Sequence, residues 1–217
     1  RGLIQKLELL TTKIGEPLLQ FTLAHGDFTP WNQYSIGGRP AIYDWEMSHP
    51  SLPFGFDAFH FIFQQGILVE RTSWQTIKER IDASELPWLF KQQGLDQELY
   101  LELYLTINIA NYLTIYAQQD QWHVQIHWLL QTWNEALSDI LQKTLAPRKL
   151  MILDIFDFLQ GRNYAALKFP EVSPELVSEH SDIDLCITHK DKKPLLQFIQ
   201  QHPLALAVHS TSKSFMV

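Results

Sequence analysis

His25-Gly26-Asp27-Phe28-Thr29-Pro30-Trp31-Asn32, followed after a short interval by Asp44-Trp45-Glu46, is the stretch on which the reading of this chain turns. It sets an Asp, an Asn five positions on, and a second Asp at the end of an apolar run. Phosphoryl transfer from a nucleotide asks a protein for an aligned acceptor hydroxyl and for charge neutralisation on the phosphates, with little covalent work. The residue types suit that chemistry. Asp27 is expected to accept or orient the acceptor proton. Asn32 and Asp44 are expected to offer hard oxygens to magnesium, which takes a few protein oxygens besides phosphates and water.

The flanking residues predict how the three are brought together. Residues 21–24 read as a short strand entering the loop. Gly26 allows a sharp turn before Asp27, and Pro30 keeps a helix from running through. Residues 32–36 and 41–45 read as two strands, joined as a hairpin by Gly37-Gly38-Arg39-Pro40. Such a hairpin places Asn32 near Asp44. The plain alternative is a loop in which Asp27 and Asp44 cap backbone donors. It accounts for each residue separately but not for their joint spacing.

Downstream the sequence turns helical. Residues 54–66 are rich in Phe and read as a core helix, with Phe54, Phe56, Phe59, Phe61 and Phe63 as packing residues. Helices are predicted over 73–81, 84–93, 96–119 and 122–144, with Ser73 as a cap and Gly94 as a stop. Residues 99–117 are too interrupted by Glu102, Thr106, Asn108, Asn111 and Thr114 for a membrane span. This helical run resembles the lower lobe of small-molecule kinases, which implies Glu98, Glu102, Asn108, Asn111 and residues 122–133 as candidates to line an acceptor pocket, though a solvated helix face explains the two Glu equally well. His123 and His127 have metal-ligand spacing, but no third ligand is near, so a hydrogen-bonded or exposed pair is expected.

Ala146-Pro147-Arg148 marks a boundary, because Pro147 ends the preceding helical pattern. Beyond it, 149–159 reads as a helix, Gly161-Arg162-Asn163 as a break, 164–168 as a short strand or helix end, and 169–180 as a loop. Ser181-Asp182-Ile183-Asp184-Leu185-Cys186-Ile187-Thr188 then reads as a strand that puts Asp182 and Asp184 on one face. Like charges side by side call for a neutralising partner, and a divalent metal is the obvious one. Residues 190–201 are predicted to form the next helix, with Pro194 in its first turn.

Composition narrows the class. Hydrophobic residues make up 46% and charged residues 19%, enough apolar content for a core. A net charge of −7 argues against a nucleic-acid partner. The single Cys186 excludes an internal disulfide and fits a reducing cytoplasm, and no signal peptide is visible. The expected fold class is α+β, with residues 1–146 as one domain and 147–217 as part of another.

The first segment resembles the C-terminal lobe of the aminoglycoside phosphotransferase-like family, small-molecule relatives of the protein kinases. His25, Gly26, Asp27 and Asn32 match its His-Gly-Asp-x-x-x-x-Asn pattern. Asp44, Trp45 and Glu46 match its later metal-binding Asp, and Asp57 in Gly55-Phe56-Asp57-Ala58 matches a further family Asp. The resemblance implies Asp27 as catalytic base, Asn32 and Asp44 as magnesium ligands, ATP as phosphoryl donor, and supporting roles for His25, Glu46 and Asp57. Such an enzyme also needs a glycine-rich loop and a phosphate-binding lysine. The residues before His25 contain no glycine-rich loop, and Lys6 and Lys13 lie in a segment that reads as helix then loop. The nucleotide-holding lobe is therefore expected in a longer parent protein, and isolated activity is not expected.

The second segment resembles the opening of a polymerase-beta-like nucleotidyltransferase domain. Ser181-Asp182-Ile183-Asp184-Leu185 matches its Asp-x-Asp strand, implying a second metal site at Asp182 and Asp184. The usual upstream Gly-Ser pair and a third carboxylate are not found. The expected function is phosphorylation of a hydroxyl on a small molecule such as a sugar, amino sugar or amino alcohol. The rivals are a non-catalytic kinase-like binding module and a nucleotidyltransferase with a kinase-like accessory domain.

Overall fold

The computed structural model describes residues 2–145, 147–167, 177, 182–209 and 211. It is a mixed α+β chain that divides into two compact units, 6–137 and 1–5 together with 138–217. The boundary expected at 146 lies after this division. Among the described residues no helix is long and apolar enough to cross a membrane.

Helix α1 (Gly2–Ile14), which belongs to the 6–137 unit from Lys6 onward, leads into strand β1 (Phe21–Ala24). Strands β2 (Gln33–Ile36) and β3 (Arg39–Ile42) form an antiparallel hairpin with Gln33 opposite Ile42. Its turn is only Gly37-Gly38, both at positive φ (56° and 78°), as a tight two-residue hairpin requires. Arg39 and Pro40, expected in the turn, belong to β3. The second strand accordingly ends at Ile42, and Trp45–Met47 makes a 3₁₀ turn instead.

Strand β4 (His49–Pro53) pairs antiparallel with β1, with a bulge between Thr22 and Ala24. Pro50 and Pro53 argue against a strand, since neither can donate to a ladder. A two-stranded ribbon tolerates them because each strand has a free edge.

Helix α2 (Phe56–Gln64) follows, continued by a π-helical segment, Gln65–Glu70. Phe56, Phe59, His60, Phe63 and Ile67 are all buried, at the three-and-four spacing of one helix face. Phe56 and Phe63 each pack with ring centroids 5.2 Å from that of Tyr104, and Phe59 lies 5.7 Å from Phe90. Phe54 and Phe61 are half-buried, at the edge of this core. Truncating fully buried Phe59 to Ala is expected to cost about 3–5 kcal/mol.

The remaining helices of this region are α3 (Trp74–Ala83), α4 (Leu86–Gln93), α5 (Gln97–Tyr116) and α6 (Val124–Leu141). Ser73 caps α3 through the Thr76 N–H, as expected, and Gly94 ends α4 at φ 66°.

The other unit contains α7 (Pro147–Phe158), β5 (Tyr164–Leu167), β6 (Asp184–Ile187) and α8 (His189–Gln201). β5 and β6 pair antiparallel, with Leu167 opposite Asp184. Ile152, Phe156 and Val177 form a small core on which Ala166, Ile183 and Leu185 pack. Asp154 on α7 and His202 after α8 are both buried and hydrogen-bonded at 3.1 Å. Pro194 falls inside α8, one turn later than predicted. The loop expected over 169–180 lies outside the described residues except at Val177.

Candidate functional site

The loop after β1 is fastened through its backbone. Asp57, in the first turn of α2, accepts the His25 N–H at 2.7 Å on Oδ2 and the Gly26 N–H at 2.9 Å on Oδ1. One carboxylate thus holds two consecutive amides, and charge-assisted bonds of this kind are the stronger ones. Gly26 sits at φ 82°, and a Cβ there would lie 2.2 Å from the Met47 carbonyl oxygen. The loop and the turn after Asp44 pass each other at a distance only glycine permits.

His25 is buried and links the same two segments. Its Nδ1 accepts the Asp27 N–H at 3.3 Å, so Nε2 carries the proton and donates to the Tyr43 carbonyl at 2.8 Å. The Trp45 ring lies against it, 4.8 Å between centroids.

Both oxygens of the Asp27 carboxylate are engaged. Oδ2 accepts from Asn32 Nδ2 at 2.9 Å, and the same amide donates to the Asp27 carbonyl at 3.0 Å. Oδ1 lies 3.1 Å from Nε2 of His60, whose Nδ1 is 3.3 Å from the Tyr104 hydroxyl. Burial pushes the Tyr104 hydroxyl well above its usual pKa, and the nearby Tyr112 and Asp27 add to the shift. Tyr104 therefore keeps its proton and donates to Nδ1, leaving His60 Nε2 to donate to Asp27. The Asp27 side chain is still 30% exposed, so a solute can reach the carboxylate that the protein holds in place.

His60 is the residue that sequence reasoning missed. It occupies the apolar stripe of α2, where a polar side chain is costly unless bonded. A polar position within the stripe of Phe56, Phe59 and Phe63 was the signal available, and buried Gln64 next to it carries the same signal.

Asn32 is buried, and its amide nitrogen is committed to Asp27. Its Oδ1 has no donor among the described residues. The Asn32 carbonyl accepts the Tyr43 N–H at 3.2 Å, which extends the hairpin ladder by one rung and makes Asp44 the next residue beyond Asn32's partner. Asp44 is exposed, at φ 65° and ψ 55°, and its carboxylate does not cap the turn it begins. Glu46 is exposed within that turn. Asn32 Oδ1 and the Asp44 carboxylate are hard oxygens of the kind magnesium takes. No cluster of three or more His, Cys, Asp or Glu able to hold a metal occurs among the described residues. A cation here would rest on few protein atoms, which suits magnesium bound together with phosphates and water.

Several other candidates have settings of their own. Glu102 is buried and paired with Lys13. Lys6 is buried and donates to Asn134 Oδ1 at 2.9 Å. Glu98 and Asn111 are exposed, and Asn108 is buried with an unbonded Nδ2. His123 and His127 are exposed, and neither belongs to a metal cluster.

In the second unit β6 begins at Asp184, so Asp182 lies ahead of the strand and not within it. The alternation itself is kept, since Ile183 and Leu185 pack on the core. Asp182 is exposed and Asp184 half-buried. Asp191 there accepts from the Thr188 hydroxyl and, at 2.7 Å, from Arg162 Nη1.

No family model matches this chain, and no curated protein or solved structure does either.

Proposed function

We propose that the protein carrying this chain transfers the terminal phosphoryl group of ATP to a hydroxyl of a small molecule, with Asp27 as the base. The observation that carries the reading is the two-sided hold on Asp27, by Asn32 on one oxygen and by the buried Tyr104–His60 pair on the other. A loop that merely capped backbone donors would not recruit a buried imidazole to a solvent-accessible carboxylate.

In this reading the acceptor hydroxyl meets the exposed side of Asp27. Its oxygen bonds to the γ-phosphorus as the bond to the ADP oxygen breaks, and its proton passes to Asp27. His60 and Asn32 fix the carboxylate so that no side-chain freedom is lost at that moment. Asn32 Oδ1 and Asp44 would hold magnesium, which supplies charge neutralisation on the phosphates when bound. Leu23, Tyr34, Ile36, Ile42, Trp45 and Met47 are all exposed on the strands and turn around the loop. Tyr34 and Ile36 share one face of the hairpin and Ile42 lies on the other, and apolar side chains exposed in this number suit cover by a further part of the protein. The nucleotide-holding residues are assigned to that part.

The test is ATP-dependent phosphorylation by the complete gene product against a panel of sugars, amino sugars and amino alcohols. Asp27→Ala is expected to abolish transfer with the fold unchanged, and normal turnover by that variant removes Asp27 from the mechanism. Asp44→Asn is expected to raise the magnesium requirement; an unchanged titration would remove it as a ligand. ATP binding without any transfer would favour the non-catalytic module.

A further inference from the structure

A concave site lies in the 6–137 unit, sharing no residue with the Asp27 site. It is a cleft of about 230 Å³ between the segment after the π-helical turn and one face of α6. Drug-sized pockets run to roughly 300–1,000 Å³, so this one suits a small metabolite.

Its charges are unusual. Arg71 sits at φ 55° and ψ 42°, a backbone conformation that a long L side chain rarely adopts. Held there, its guanidinium lies over the Trp128 ring, 4.1 Å from the centroid. No carboxylate among the described residues pairs with it. Glu135 lines the same cleft, two turns along α6 from Trp128. Its carboxylate accepts from Gln131 Nε2 at 3.0 Å and meets no cation among the described residues. A free cation and a free anion thus share one small cleft without reaching each other. Between Trp128 and Glu135 stands Thr132, only 6% exposed, whose hydroxyl makes no hydrogen bond with the described residues. That hydroxyl is not sealed away from the cleft, so a polar atom of a ligand there can bond to it.

We infer that this cleft binds a small zwitterion of the amino-acid class, its carboxylate on Arg71, its ammonium on Glu135 and a polar atom on Thr132. The arrangement uses Arg for a planar anion, and the indole face fixes the guanidinium in advance of binding. A simple anion would leave Glu135 repelling it, and a simple amine would meet Arg71 in the same way. The inference does not depend on the chemistry assigned to Asp27.

Isothermal titration calorimetry on the whole chain tests it, with the twenty standard amino acids taken singly. Propionate and ethylamine serve as the two half-molecules of alanine. At least one amino acid is expected to bind in the millimolar range or tighter, and each half-molecule at least tenfold more weakly than alanine or not at all. Arg71→Asn removes the cation yet suits positive φ, so the fold is kept. It and Glu135→Gln are each expected to weaken binding at least tenfold, and Thr132→Val about threefold or more, with unchanged circular dichroism. No binding by any amino acid at about 10 mM overturns the proposal. So does a half-molecule that binds as tightly as alanine, or affinity unmoved by both Arg71→Asn and Glu135→Gln.

Discussion

Asp27 and Asp184 are both motif carboxylates at a short antiparallel ribbon, and they differ in place, since Asp27 stands in the loop after β1 and Asp184 is itself the first residue of β6. Asp27 is reached by Asn32 from the hairpin and by His60 from α2, while Asp57 holds the backbone just before it. Asp184 opens β6 opposite Leu167, and its neighbour in the motif, Asp182, is an exposed residue outside the strand. Buried polar partners such as His60 and Tyr104 are expensive unless they are satisfied, so a fold that keeps them there is committing stability to one carboxylate. In the second unit Asp191 and the Asp154–His202 pair are held in a similar way.

The largest expected effect sets the two regions directly against each other. Under the phosphotransfer reading, Asp27→Asn is expected to lower turnover about 10²–10⁴-fold, the range for a positioned general base. The double variant Asp182→Asn with Asp184→Asn should leave acceptor phosphorylation unchanged. Equal losses in steady-state rate from the two variants would break the distinction.

His60 sharpens the same contrast. His60→Phe keeps an apolar ring in the stripe but frees Asp27 Oδ1 and leaves the Tyr104 hydroxyl without its acceptor. A loss of about ten- to a hundredfold in kcat is expected, with KM for ATP little changed, because the carboxylate loses its orientation. A variant that lost stability but kept kcat would make His60 a core residue only.

Two glycines give the stability version. Gly26 and Gly161 have similar positive φ, 82° and 71°, but a Cβ at Gly161 meets nothing within 4 Å. Gly161→Ala is therefore expected to cost about 1 kcal/mol, the conformational part alone. Gly26→Ala adds the clash with the Met47 carbonyl and should reach the upper end of about 1–3 kcal/mol for a strained site. Urea unfolding of both variants measures the gap, and equal costs would show that the loop has room to relax.

Much of the frame around Asp27 was legible because local chemistry decides it. Gly37-Gly38 forces a hairpin, Ser73 caps a helix, and Phe56, Phe59 and Phe63 repeat with helical spacing. What was not legible depended on partners far along the chain. β4 carries two prolines and is a strand only because β1 is there to pair with it. His60 gains its role from Asp27, 33 positions earlier, and from Tyr104, 44 positions later. Gln65–Glu70 has no periodicity that marks a π-helical turn. Asp182 falls outside the strand because β6 begins two residues later than the alternation of the sequence suggests. The resemblance to phosphotransferases rested on the spacing of Asp27, Asn32 and Asp44. The hairpin rung between Asn32 and Tyr43 gives that spacing a geometry, while the chemistry remains the proposal above.

The smallest expected effect belongs to Asp191, and its sign follows from its partners. The Thr188 hydroxyl, and then Arg162, hold this carboxyl below the usual carboxylate range. The native chain therefore takes up a proton at Asp191 less readily than the unfolded chain does. The stabilisation is fully present above the unfolded value, near 3.8, and is lost as pH falls through the lower native value. Asp191→Asn should thus lie below the wild type in urea midpoint at neutral pH and converge on it under acid. The Arg162 side chain is 35% exposed, so solvent screens the pair and the gap should also shrink in strong salt. A gap that stayed constant from pH 7 to acid would mean that Asp191 acts through packing and not through its charge.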